Sequence, residues 1–70
     1  MSIITRIDTH IVDDLSAELC REAFRSGKER FLVYFAEGDF EYTEGVFKSE
    51  QEARVCYNKL VVDMEAGWRP

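Results

Sequence analysis

The stretch "DDLSAELCREAFRSG", residues 13–27, decides the fold, because a helix here makes the element order β-α-β-β-α. Leu15, Leu19, Cys20, Ala23 and Phe24 recur at spacings of three and four, which on a helix makes one apolar stripe. Asp13 or Asp14 can accept hydrogen bonds from the first free helical N–H groups, and its charge complements the helix dipole. Gly27 can take the left-handed position that stops a helix. These features predict a helix.

Upstream, "SIITRIDTHI" alternates, with Ile3, Thr5, Ile7, Thr9 and Ile11 on one side and Ile4, Arg6, Asp8 and His10 on the other. Period two with β-branched residues predicts a strand at about residues 2–9. Downstream, "RFLVYFAEGDFEYTEGVF" predicts a hairpin. Gly38-Asp39, with Gly first, fits a type II′ turn. That turn sets Glu37 opposite Phe40, Phe35 opposite Tyr42, Val33 opposite Glu44 and Phe31 opposite Val46. Phe31, Val33, Phe35, Phe40, Tyr42 and Val46 then share the core face, whereas Leu32, Tyr34 and Ala36 share the other. A bulge at Gly45 would shift the pairing beyond it.

"SEQEARVCYNKLVVDMEAGW" predicts a second helix. Ser49 and Glu52 have capping-box spacing, Gly67 ends the segment, and Ala53, Cys56, Tyr57, Leu60, Val61, Met64 and Trp68 form the buried stripe. Val55 and Val62 make a thinner flanking stripe. The expected architecture is therefore an α+β two-layer sandwich in β-α-β-β-α order: a three-stranded sheet with two helices on one face, within a single domain spanning residues 1–70.

Composition bounds the function. A chain of 70 residues buries only roughly 60% of its unfolded surface, so self-association is one expected source of further stability. The net charge of −5 works against generic binding to nucleic acid and to anionic membranes. Neither a signal peptide nor a membrane-spanning apolar run is evident, so the expectation is a cytoplasmic protein. Cys20 and Cys56 form no C-x-x-C and read as buried thiols.

The acidic stretch "AEGDFEYTEG" at residues 36–45 invites comparison with a calcium loop. Counted from Glu37, the first, third and fifth positions are acidic. The sixth is Tyr42 and the twelfth Lys48, where such a loop needs Gly and Glu. In the hairpin register these carboxylates diverge, whereas a metal cage or catalytic pair needs convergence. Glu44 is the exception, since it points to the core face. His10 with Cys20 or Cys56 has no metal-ligand or nucleophile spacing. The aromatic run "RFLVYF" lacks the second aromatic strand and the basic surround of a base-stacking sheet.

These features predict a small acidic interaction or regulatory module without catalytic activity or cofactor. Its expected partner is a second copy of itself, another protein, or both. The expected interface residues are Ile4, Leu32, Tyr34 and Ala36 on the uncovered sheet face, with Val55 and Val62 on the second helix. A free edge of the strand at residues 2–9 or of the hairpin's first strand, Phe31 to Ala36, offers another route to self-pairing. An acidic mimic of nucleic acid, inhibiting a DNA- or RNA-binding protein, is the alternative; it requires Glu37, Asp39, Glu41 and the exposed carboxylates of the second helix on one continuous surface. A metal- or thiol-dependent enzyme is the second alternative.

Overall fold

Among the described residues the elements are, in order, β1 (Ser2–Val12), β2 (Leu15–Phe24), β3 (Glu29–Glu37), β4 (Phe40–Phe47) and α1 (Glu50–Glu65). The computed structural model of the protein describes residues 1–67; Trp68, expected on the helix stripe, lies outside the described residues. The four strands form one antiparallel sheet in the order β1-β2-β3-β4. The architecture is therefore not β-α-β-β-α. The sheet has four strands rather than three, and one helix rather than two.

The correction falls on residues 13–27. Leu15, Ala17 and Leu19 also alternate, and all three are buried under α1, while Ser16, Glu18, Cys20 and Glu22 face the other way. Asp13 and Asp14 form a two-residue hairpin loop between paired Val12 and Leu15, with Asp13 at φ 54°. Asp tolerates this left-handed conformation better than most residues. Gly27 does adopt positive φ (92°), but in a hairpin loop: its N–H bonds Phe24 O at 2.9 Å, and the Phe24 N–H bonds Lys28 O at 2.8 Å. A left-handed Gly serves a helix end and a three-residue hairpin equally well. Ala, Leu, Glu and Arg favour helix intrinsically. Here pairing on both edges, with β1 and with β3, overrides that preference.

Two bulges adjust the faces. In β1 the register shifts between Arg6 and Asp8, so Ile7 is the extra residue. Ile3 and Ile7 turn toward the helix-bearing face, but Thr9 and Ile11 turn away, and Asp8, His10 and Val12 replace them. The expected single stripe is thus split in two. In the second hairpin Glu37↔Phe40 and Phe35↔Tyr42 pair as expected, and Gly38 alone of the two turn residues has positive φ (59°). Beyond Tyr34↔Thr43 the register slips, giving Val33↔Gly45, Leu32↔Val46 and Phe31↔Phe47. The extra residue is Glu44, which is exposed. Val46 leaves the core face, and Phe47 takes the place expected for it.

The core lies between the sheet and α1. Leu15, Ala17, Leu19, Phe31, Val33 and Phe35 meet Ala53, Tyr57, Leu60 and Met64, with Phe47, Cys56 and Val61 at the margin. Ser49 caps the helix by accepting the Glu52 N–H at 3.2 Å, and Gly67 follows its end at φ 84°. One helix is about 10 Å across, whereas four strands spaced about 4.8 Å apart span nearly twice that. The margins of the helix-bearing face therefore stay wet. Phe40, expected in the core, is 70% exposed, and Tyr42 is exposed beside Phe35 at a ring separation of 6.3 Å.

Candidate functional site

Among the described residues, the single helix leaves the opposite face of the sheet without a layer. Four strands contribute to this open face in register. One row is Ile11, Ser16, Ala36 and Glu41; the next is Thr9, Glu18, Tyr34 and Thr43. Then come Arg6, Cys20, Leu32 and Val46, followed by Ile4, Glu22 and Arg30. Cys20 and Leu32 are buried, although they lie outside the core cluster, and Tyr34 and Ala36 are half-buried. Around them Ile4, Ile11 and Val46 are 55%, 69% and 51% exposed. A second small apolar cluster thus forms on this face, wet at its rim.

Its polar groups are ordered. The Ser2 hydroxyl donates to Glu22 Oε2 at 2.7 Å, and Arg30 Nε donates to Glu22 Oε1 at 2.6 Å. The Arg30 guanidinium also lies 5.4 Å from the centre of the Phe24 ring. The Ser2 hydroxyl first, and Arg30 with it, hold the Glu22 carboxyl below its usual range. Charge-assisted hydrogen bonds of this kind fix a side chain in place. Arg6 and Glu18 approach only to 4.0 Å with both side chains exposed, a pair of little energetic weight. Burial pushes the Cys20 thiol and the Tyr34 hydroxyl up, and the neighbouring acids add to the effect.

The expected interface residues separate into two sets. Ile4, Leu32, Tyr34 and Ala36 do come together, on this open face. Val55 and Val62 are exposed on the outer side of α1, in the opposite layer. Sequence reading missed Ile11 and Val46, because each was assigned to the other face before its bulge was known. It also placed Cys20 on a helix, whereas Cys20 sits at the centre of the open face. The edge expectation changes in part: the strand expected from Phe31 to Ala36 is β3 and central, whereas β1 is a free edge as expected, with β4 as the other.

Other clusters are less convergent. Asp8 accepts from Arg54 Nη1 at 2.7 Å, and His10 Nε2 hydrogen-bonds with Glu65, so an ion pair and a histidine–carboxylate contact clasp β1 to α1. Among the described residues, no group of three or more His, Cys, Asp and Glu side chains could hold a metal ion. Glu37 and Glu41 lie on opposite faces of the sheet with Asp39 in the turn between them, and Arg6 and Arg30 share the face of Glu41. The continuous acidic surface that a nucleic-acid mimic requires is therefore not assembled from these residues. An open hollow of about 390 Å³ at the start of β1 is lined by Met1, Ile3, Ala23, Phe24 and Arg25, with no helix residue among them. Among the described residues, no helix is long and apolar enough to cross a membrane. Comparison with protein-family models, with curated proteins and with solved structures finds no match to this chain.

Proposed function

We propose that this chain is a protein-interaction module without catalytic activity, which docks through the open face of its sheet and does so as a homodimer. The observation that carries the reading is the cluster of Leu32, Tyr34 and Cys20 ringed by exposed Ile4, Ile11 and Val46 on a face without a covering layer. Exposed apolar residues gathered on an uncovered face mark protein interfaces, and here Arg6, Thr9, Glu18 and Glu22 are interspersed among them. Size adds to the case, because a short chain gains most from burying surface against a neighbour. The free thiols of Cys20 and Cys56 support a reducing compartment, the cytoplasm, as its setting.

Light scattering tests the proposal. The chain should elute with twice its 8.2 kDa mass at micromolar concentration, and Val46→Asp should return it to the monomer while far-UV circular dichroism stays unchanged. A wild-type chain that remains monomeric at high micromolar concentration would refute the homodimer.

A further inference from the structure

We infer that the first half of β1 is a strand-addition site: an extended acidic peptide of another protein pairs antiparallel with residues 2–6 and sets an aromatic side chain in the hollow beside Ile3. This goes beyond the docking reading and does not depend on it.

Hydrogen bonds show which main-chain groups of this edge are free. The Thr9 hydroxyl donates to Ala17 O at 3.2 Å, so the main-chain groups of Ala17 point to β1. Those of Phe24 point to β3, because its N–H bonds Lys28 O and its carbonyl accepts from the Gly27 N–H. Successive residues of a strand alternate in this direction, and β2 pairs with β3 without a bulge. The odd-numbered residues of β2 therefore face β1. Through the pairs Ile3↔Ala23 and Thr5↔Arg21, Ile3 and Thr5 turn their main-chain groups to β2. Ser2, Ile4 and Arg6 turn theirs outward, where β1 has no neighbouring strand. All three precede the bulge at Ile7, so the edge is regular over this length. The other edge strand, β4, is interrupted by its bulge at Glu44. Bulges oppose pairing along an edge.

Side chains then select the partner. A residue opposite Ile3 lies on the helix-bearing face, where Ile3 is 70% exposed and the next residue of the row is only Ala23. Side chains directly opposite one another across an antiparallel pair touch. A large ring at this position covers Ile3 and fills the hollow of about 390 Å³ that Ile3 and Ala23 help to line. Arg25 is the one charged side chain lining that hollow, and among the described residues it forms no ion pair. At the other end of the segment Arg6 approaches Glu18 only to 4.0 Å. Glu22, the acid in the row of Ile4, is already held by Ser2 and Arg30. Exposed guanidinium groups at both ends of one apolar edge, on a chain of net charge −5, favour an acidic partner. A second copy of β1 is a poorer occupant. Paired antiparallel about Ile4, it sets Thr5 opposite Ile3 and Ile7 opposite Met1, with no ring for the hollow and no acid for Arg25. In strand addition the main-chain bonds supply affinity and the alternating side chains supply specificity.

The probe is the peptide acetyl-Glu-Thr-Val-Phe-Thr-Glu-amide, titrated into the isotope-labelled chain and followed by amide chemical shifts. In the inferred register its valine meets Ile4, its phenylalanine meets Ile3, and its two glutamates reach Arg6 and Arg25. Methylating the valine nitrogen removes the donor to Ile4 O and should weaken binding at least tenfold. Methylating the phenylalanine nitrogen, which points away from β1, should change binding less than twofold. Equal effects of the two would overturn the register. Arg25→Glu should bind the probe about threefold more weakly and regain that affinity for the version ending in lysine; an unchanged preference would overturn the assignment of Arg25. No saturable shift at millimolar probe would overturn the site, whether the edge stays bare or is taken by a second copy. A monomeric chain that binds the probe in this register would support the strand site while refuting the homodimer.

Discussion

Replacing Gly45 by Ala should destabilise the protein through a single contact. Gly45 sits opposite Val33 just after the β4 bulge and is not among the positive-φ residues, so backbone strain plays no part. A Cβ built there would lie 2.5 Å from Phe47 Cε2 and 2.6 Å from Phe47 Cζ. Carbon atoms in contact prefer about 3.5–4.0 Å, so the ring must retreat by about 1 Å. Phe47 is not free to do so cheaply, because it packs against the margin of the core. Overpacking of this kind costs about 1–3 kcal/mol. Replacing Gly by Ala in a strand returns about 0.5–1 kcal/mol through the unfolded chain. The net expectation is a loss of about 1–2 kcal/mol, or about 5–15 °C in Tm for a domain this small. Urea titration followed by far-UV circular dichroism measures it. The control is the same substitution in a Phe47→Ala background, where it should become neutral or stabilising, giving a coupling of about 1.5–3 kcal/mol. If Gly45→Ala costs the same in both backgrounds, the ring is not the cause and the reasoning fails.

Three further outcomes follow from the same structure. Arg54 and the Thr9 N–H hold the Asp8 carboxyl below its usual range, as Ser2 and Arg30 do for Glu22. In both cases the unfolded chain binds the proton first, so the stabilisation is present above the ordinary carboxylate range and is lost as pH falls below about 4.5. Urea midpoints between pH 7 and pH 3 should fall with a shallower slope for Glu22→Gln than for wild type, and parallel curves would contradict this. Ser49→Ala removes the acceptor for the Glu52 N–H and should cost about 1 kcal/mol in the same titration, while Ser49→Asp should cost little. Burial pushes both the Cys20 and the Cys56 thiols up, but Cys20 is the more covered, so a thiol reagent at pH 8 should modify Cys56 first; faster reaction at Cys20 would show that the open face is looser than described.

Where the sequence determined the structure, the determining signals were local. The Gly38-Asp39 turn fixes its own register, and Glu37↔Phe40 and Phe35↔Tyr42 follow from it without help from the rest of the chain. Ser49 and Gly67 bound α1 because a cap acts within one turn, and the spacing of Ala53, Tyr57, Leu60 and Met64 names the buried side. The alternation of the first residues likewise gives β1. Only the tertiary structure decided β2. Its residues carry a helical period and a strand period together, and helix formers fill both. A helix closes its hydrogen bonds within the segment, whereas this strand closes them on β1 and β3, whose positions the segment does not encode. The bulges at Ile7 and Glu44 were hidden for a related reason. A period-two pattern assumes one residue for one along the pair, and each extra residue exchanges the faces beyond it. That exchange moved Ile11 and Val46 onto the open face, beside the Leu32 and Tyr34 that the sequence had already assigned there.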